Sequence, residues 1–105
     1  MGRASRKIRH YPKRLGEKLY HIRSALGLSQ NGMIERLGAP EGLLGTSISG
    51  YERGIREPPL LILLKYSHIA GVYLEVLVDD TLDLPERLPA NPKSEGIKRE
   101  RSSKY

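Results

Sequence analysis

Side chains that could catalyse a reaction or hold a metal ion are few and poorly spaced in this sequence of 105 residues. The histidines His10, His21 and His68 are far apart, and none is paired locally with a carboxylate at metal-ligand spacing. The acidic run at 79–83 lacks the glycine and the closing glutamate of a calcium loop. The sequence also has no nucleophile, base and acid at the spacing of a catalytic motif. We therefore expect no enzyme activity, no metal ion and no cofactor.

Basic residues offer a different chemistry, the binding of phosphate groups. Residues 1–14 carry six basic residues and no acidic one, and residues 85–105 carry six basic and three acidic. Residues 15–84 carry six basic and nine acidic residues, so the net charge of +6 comes from the two ends. The ends contain too few apolar residues to form a core. They predict a basic N-terminal arm (1–14), a folded domain (15–84) and a disordered C-terminal tail (85–105). In the arm, the residues expected to bind phosphates are Arg6, Lys7 and Arg9.

The rest of the composition excludes several classes of protein. The sequence contains no cysteine, which excludes disulfides and thiolate zinc sites and fits a reducing compartment. Its longest aliphatic run, 60–64, is far too short to span a membrane, and the basic start lacks the apolar region of a secretory signal. We expect a cytoplasmic, nucleoid-associated protein. Phe and Trp are absent, so aliphatic side chains must build the core and an aromatic base-stacking platform is not expected.

Apolar spacing and glycine stops divide the middle of the chain into helices. Leu15, Leu19, Ile22 and Leu26 follow one another at intervals of four, three and four, which puts them on one helical face ending at Gly27. A second helix follows an N-cap at residue 29 and ends before residue 38. Short helices are predicted at 46–53, 60–70 and 73–78, and no strand-like alternation persists. The pattern predicts an all-α domain of five helices.

Several short motifs occur in this helical order. They are Leu15-Gly16-Glu17, Ile22-Arg23, Gly27-Leu28-Ser29-Gln30, Leu37-Gly38, Ser47-Ile48-Ser49-Gly50-Tyr51-Glu52-Arg53-Gly54 and Pro58. Leu-Ser-Gln alone is weakly specific, whereas its combination with Ile-Ser-x-x-Glu-Arg-Gly and the later proline is much more specific. With these motifs the chain resembles the lambda-repressor-like (XRE-like) helix-turn-helix DNA-binding family over about residues 15–78.

The resemblance implies a compact domain whose third helix, 46–53, enters the major groove of DNA. It implies that Ser29 caps the second helix, whose exposed N–H groups attract phosphate, and that Gln30 donates to the DNA backbone or braces the third helix. It also aligns Arg23 and Glu52 with a partly buried ion pair between the first and third helices. The DNA-binding residues that it implies in the domain are Ser29, Gln30, Gly45, Thr46, Ser47, Ser49, Gly50, Arg53 and Arg56.

Two features depart from the family pattern. The stretch from Gly38 to Glu52 covers 14 residues, longer than the family usually has, and the insertion falls within 39–45. Ile34 stands where the family favours a small residue at a helix crossing. The predicted base-reading side chains are small hydroxyls, without an arginine or glutamine fork. Gly50 has two interpretations, a close approach to DNA or a weak point in a short helix.

The fourth predicted helix is apolar on nearly all sides, which favours burial on more than one side. Aligned with the family, its core positions are Leu60, Leu63, Ser67 and Ala70, and scattered surface apolar residues are the alternative explanation for the others. The resemblance implies that this region forms a homodimer on an inverted repeat. The predicted dimer-interface residues are Leu61, Ile62, Ile69, Tyr73 and Val76.

The sequence therefore predicts a sequence-specific, dimeric regulator of transcription that binds double-stranded DNA. Two alternatives remain open. One is an antitoxin-type regulator that also binds a toxin protein. The other is a protein-interaction module that has lost specific DNA reading, as the insertion, Ile34 and the small reading residues would permit.

Overall fold

The computed structural model describes residues 11–89, which contain five α-helices and no strand. The helices are α1 (Leu15–Ala25), α2 (Gln30–Arg36), α3 (Gly45–Glu52), α4 (Leu60–Ala70) and α5 (Leu74–Val78). The prediction of an all-α domain with five helices is confirmed, and each helix begins within one residue of its predicted start. None of these helices is both long and apolar enough to cross a membrane.

The helices enclose one core, built mainly from aliphatic side chains as the absence of Phe and Trp predicts. Helix α1 packs against α3, α4 and α5, and α2 packs against α3. The buried apolar residues are Leu15, Leu19, Ile22, Met33, Leu37, Ile48, Tyr51, Ile62, Leu63, Tyr66, Ala70, Val72 and Leu77. The helix α1 is therefore the central element against which the other helices are positioned.

A side-chain cap, a hydrogen bond between helices and a glycine mark the ends of α2 and α4. The Ser29 hydroxyl accepts the backbone N–H of Gly32 at 2.9 Å, as expected of an N-cap residue. At the other end of α2, Lys65 from α4 donates to the carbonyl oxygen of Leu37 at 3.2 Å. Gly71 follows the last residue of α4 as its C-cap, and its φ of 75° is left-handed and favours glycine. These bonds set the length of α2 and tie its end to α4.

An ion pair joins α1 to the end of α3. The Arg23 guanidinium donates to both carboxylate oxygens of Glu52, at 2.7 and 2.9 Å, and to the Leu28 carbonyl at 3.0 Å. The two charged side chains are only 15% and 6% exposed, respectively. The bond to Glu52 raises the pKa of Arg23. The structure thus brings together the pair that the family resemblance implied, and this pair orients α3 relative to α1.

A second link closes the domain between α1 and the residues after α5. The Asp80 carboxylate accepts the backbone N–H groups of Lys13 and Arg14 at 2.9 and 3.0 Å, just before α1 begins. Lys18 is 2% exposed, and its ammonium donates to the carbonyls of Val76 and Asp79 at 2.8 and 3.0 Å, at the end of α5. Burial lowers the pKa of Lys18. The first helix therefore receives its N-terminal acceptor from residue 80 and supplies a donor to the end of the last helix.

The Asp80 bonds predict a pH-dependent stability. The N–H groups of Lys13 and Arg14 lower the pKa of the Asp80 carboxyl below its ordinary value of 3.8. The ionised carboxylate therefore stabilises the fold above pH 3.8, and this stabilisation is lost as the pH falls through the folded-state pKa. We expect Asp80→Asn to lower the melting temperature at pH 7, since the amide NH₂ cannot accept a second N–H. The difference from wild type should narrow below about pH 3.8. Melting curves between pH 7 and 2.5 measure this.

The control for that measurement is Asp83→Asn. Asp83 forms an exposed ion pair with Arg14 at 2.7 Å, with its side chain 77% exposed, and such pairs stabilise weakly. Its variant should melt close to wild type throughout. A difference between Asp80→Asn and wild type that stayed constant from pH 7 to 2.5 would contradict the role assigned to the Asp80 carboxylate.

The folded unit extends beyond the predicted limits of 15–84. Tyr11 and Leu88 both pack against the core, and Arg14, predicted to be part of the free arm, bonds the Asp80 carbonyl and the Asp83 carboxylate. The aromatic ring and the leucine supply apolar contacts that a purely charge-based boundary overlooks. The predictions for residues 1–10 and 90–105, including Arg6, Lys7 and Arg9, lie outside the described residues.

The predicted orientation of α4 is wrong at its first turn. Ile62, predicted to lie in a dimer interface, is 7% exposed and belongs to the core, whereas Leu60, predicted to lie in the core, is 67% exposed. Ile62 lies one turn before Tyr66, a large and fully buried side chain, so the two share the buried face of α4. Ile69 and Val76 are half-buried and pack against the core.

Candidate nucleic-acid interface

An open groove lies between the beginnings of α2 and α3. Its volume is about 590 Å³ and its walls are mostly polar side chains. The lining residues are Ser29, Gln30 and Asn31 from α2 and its N-cap, and Leu44, Gly45, Thr46 and Ser49 from α3 and its N-cap. The groove therefore brings together five of the residues that the sequence predicted to bind DNA. Two belong to the start of α2 and three to the first part of α3, and at least 15 positions in the sequence separate the two groups.

The segment inserted between α2 and α3 determines where the groove opens. Gly38, Ala39 and Gly42 adopt left-handed backbone angles, and the N–H of Leu43 donates to the Pro40 carbonyl at 3.1 Å. Leu43 then packs against the core. The insertion is thus a turn anchored by one leucine, and α3 begins at Gly45, one residue earlier than predicted.

Ser47 does not face the groove, so its predicted contact with DNA is wrong. The side chain lies on the inner side of α3 and is 5% exposed. Its hydroxyl accepts the backbone N–H of Leu44 at 3.2 Å, which satisfies a donor at the beginning of the helix. Ser47 therefore stabilises the start of α3, while the neighbouring Thr46 and Ser49 remain on the groove side.

Gly50 is also buried, contrary to the predicted contact with DNA. The carbonyl of Gly50 accepts the N–H groups of Ile55 and Arg56, at 2.9 and 3.1 Å. The aliphatic part of Arg56 lies across the glycine, and a Cβ atom at this position would come within 2.9 Å of the Arg56 Cδ atom. Neither interpretation of Gly50 from the sequence included this neighbour. The glycine makes space for the arginine that turns back over α3.

Two exposed arginines follow the groove at the end of α3. The Arg53 guanidinium donates to the Ser49 hydroxyl at 3.3 Å, so this side chain extends back along the helix toward the groove. Arg56 lies over Gly50 and near Tyr51. Burial raises the pKa of the Tyr51 phenol, and the positive charge of Arg56 offsets part of this rise. Both arginines are solvent-exposed and place positive charge beside the small hydroxyl side chains of α3.

The prediction from sequence missed two residues of the groove, Asn31 and Leu44. Asn31 is exposed, and its amide oxygen lies 3.1 Å from the position that a Cβ atom of residue 45 would occupy. Its position immediately after Gln30 could have indicated from the sequence that Asn31 lines the same surface. No feature of the sequence indicated Leu44, because the sequence does not show which of Leu43 and Leu44 is buried.

Other kinds of site find no support among the described residues. In residues 11–89, no group of three histidine, aspartate or glutamate side chains is placed to hold a metal ion. A smaller cavity of about 180 Å³ beside the start of α1 is lined by both acidic and basic side chains, including Glu17 and Asp83. Comparisons of the chain with protein-family models, curated proteins and solved structures find no match.

Proposed function

We propose that the protein is a sequence-specific regulator of transcription that binds double-stranded DNA through a lambda-repressor-like helix-turn-helix, α2 and α3. The observation that carries the proposal is the groove itself. It combines the amides of Gln30 and Asn31 with the hydroxyls of Thr46 and Ser49, and exposed arginines lie at the far end of α3. In this arrangement α3 enters the major groove.

The groups in the groove suit the edges of base pairs. Amide side chains can both donate and accept hydrogen bonds, as the adenine edge requires, and the hydroxyls of Thr46 and Ser49 can do the same at several base edges. Arg53 and Arg56 supply charge for phosphates, which positions α3 without reading sequence. The basic residues Arg6, Lys7 and Arg9 add affinity that is independent of sequence and falls as salt rises.

Exposed apolar residues on α4 and at the start of α5 support the proposal of a homodimer. Leu60 and Leu61 are each 67% exposed, and Tyr73 is 58% exposed. Apolar side chains of this size are candidates for contact with a second copy of the chain. A two-fold dimer would present two copies of α3 to half-sites about one turn of DNA apart. The interface that we now propose uses Leu60 in place of Ile62.

Selection of duplexes from a random pool tests this function directly. We expect enrichment of a defined sequence, and the dimer proposal predicts that this sequence is an inverted repeat. Binding that is indifferent to sequence and disappears with added salt would contradict the proposal and favour a module without specific reading. The full chain should be used, so that residues outside 11–89 can contribute.

Substitution of Thr46 makes the test specific to the groove. We expect Thr46→Ala to weaken binding to the selected duplex about two- to tenfold, because one neutral hydrogen bond contributes about 0.5–1.5 kcal/mol. Binding to an unrelated duplex should change little. Ser24→Ala is the matched control, because Ser24 is exposed on α1 and does not line the groove. Titrations at one fixed salt concentration measure both, and equal effects of the two substitutions would contradict the proposed reading surface.

A further inference from the structure

Leu44 is an exposed apolar residue at the N-terminal end of α3. It is the N-cap residue of α3, a place that favours side chains with an oxygen acceptor. A leucine has no acceptor, and the N–H of Ser47, which a capping side chain would bind, donates to the backbone carbonyl of Leu44 at 2.8 Å instead. The preceding residue, Leu43, packs against the core, whereas Leu44 is 61% exposed. Neither capping nor core packing therefore accounts for this leucine.

The position of Leu44 in the groove suggests what it contacts. It lies in the same groove as the amides of Gln30 and Asn31 and as Thr46, which follows two residues later and also carries a methyl group. The major-groove edge of an A·T pair combines an amino donor and an acceptor on adenine with the C5-methyl of thymine. Amides and an apolar side chain in one groove match that combination, whereas a G·C pair has no methyl group.

We infer that Leu44 contacts the C5-methyl group of a thymine and is a specificity-determining residue of the DNA site. This inference rests on the proposed function. The contact selects thymine at one position of each half-site, next to bases that the amides of α2 and the hydroxyls of α3 can hydrogen-bond. The occupant of the apolar part of the groove is thus double-stranded DNA, and not a second protein.

The test replaces thymine by uracil, one position at a time, in the duplex obtained by selection. Uracil pairs with adenine as thymine does and lacks only the methyl group. At one position, we expect a single replacement in one half-site to weaken wild-type binding about fourfold, which corresponds to about 0.8 kcal/mol for one buried methyl-sized group. Leu44→Ala should bind the thymine and uracil duplexes equally, and Leu44→Met should keep the preference for thymine.

Ile55→Ala is the matched control, because Ile55 is also a highly exposed aliphatic residue, at 65%, and it neither lines the groove nor belongs to the proposed dimer interface. Its ratio of thymine to uracil affinity should remain that of wild type, whatever happens to its overall affinity. Helical circular dichroism checks that each variant is folded. If selection enriches a sequence but Leu44→Ala retains the wild-type ratio at every position, the inference is overturned and the proposed function stands. If selection enriches nothing, both fail.

Discussion

Replacing Glu52 by alanine is expected to lower the free energy of unfolding by about 3–5 kcal/mol, the usual cost of removing one partner of a buried ion pair. The variant leaves the Arg23 guanidinium, only 15% exposed, with the Leu28 carbonyl as its remaining hydrogen-bond acceptor in the residues described. It also removes the bond between α1 and the end of α3. Urea denaturation followed by circular dichroism measures the loss.

The paired variant Arg23→Met with Glu52→Met separates the cost of an unpaired charge from the value of the ion pair. Two apolar side chains leave no buried charge, so we expect the double variant to be more stable than Glu52→Ala. A loss of less than about 1 kcal/mol for Glu52→Ala would show that the pair behaves like an exposed one. That result would contradict the low exposure of both side chains.

The second large effect is expected at Gly16, where α1 meets the end of α3. A Cβ atom at this position would lie 2.5 Å from the Glu52 carbonyl oxygen and 2.9 Å from that of Tyr51. Because both atoms belong to the backbone, the helices must separate. We expect Gly16→Ala to lower the free energy of unfolding by about 2 kcal/mol or more, since overpacking outweighs the gain of about 1 kcal/mol in helix propensity.

Gly32→Ala in α2 is the matched substitution. The nearest atom to a Cβ there is the Ser29 hydroxyl oxygen at 3.2 Å, which belongs to a side chain and not to the backbone. The change in unfolding free energy should stay within about 1 kcal/mol, because helix propensity and the tight contact oppose each other. If Gly16→Ala were as stable as wild type under the same denaturation, the close approach of α1 and α3 would be wrong.

The helices could be predicted because their signals are local. Leu15, Leu19 and Ile22 share a face at helical spacing, and glycines mark several helix ends, so the pattern alone indicates helices in these places. The orientation of α4 is not local. Its sequence is apolar on nearly every side, so it carries little information about which face is buried. In the structure Ile62 joins Tyr66 in the core, whereas Leu60 stays exposed.

The candidate site was predictable in its outline and not in its detail. Thr46 and Ser49 line the groove as expected, but Ser47 and Gly50, from the same short helix, face inward. The side of α3 that is buried depends on how α1 and the returning Arg56 pack against it, which a segment of eight residues does not encode by itself. The inserted turn then exposes Leu44, whose role no local pattern indicates.

The bonds of Asp80 and Lys18 also bear on how the protein is made. The helix α1 is synthesised before the other four described helices, yet the carboxylate that accepts the N–H of Arg14 at its start comes from 66 residues later in the chain. The two carbonyls that bind the Lys18 ammonium come from 58 and 61 residues later. A nascent chain that has not reached residue 76 lacks all these partners and leaves the ammonium without its final site. These bonds, unlike the contacts of α1 and α2 with α3, can therefore form only after the residues at the end of α5 and just beyond it have been synthesised.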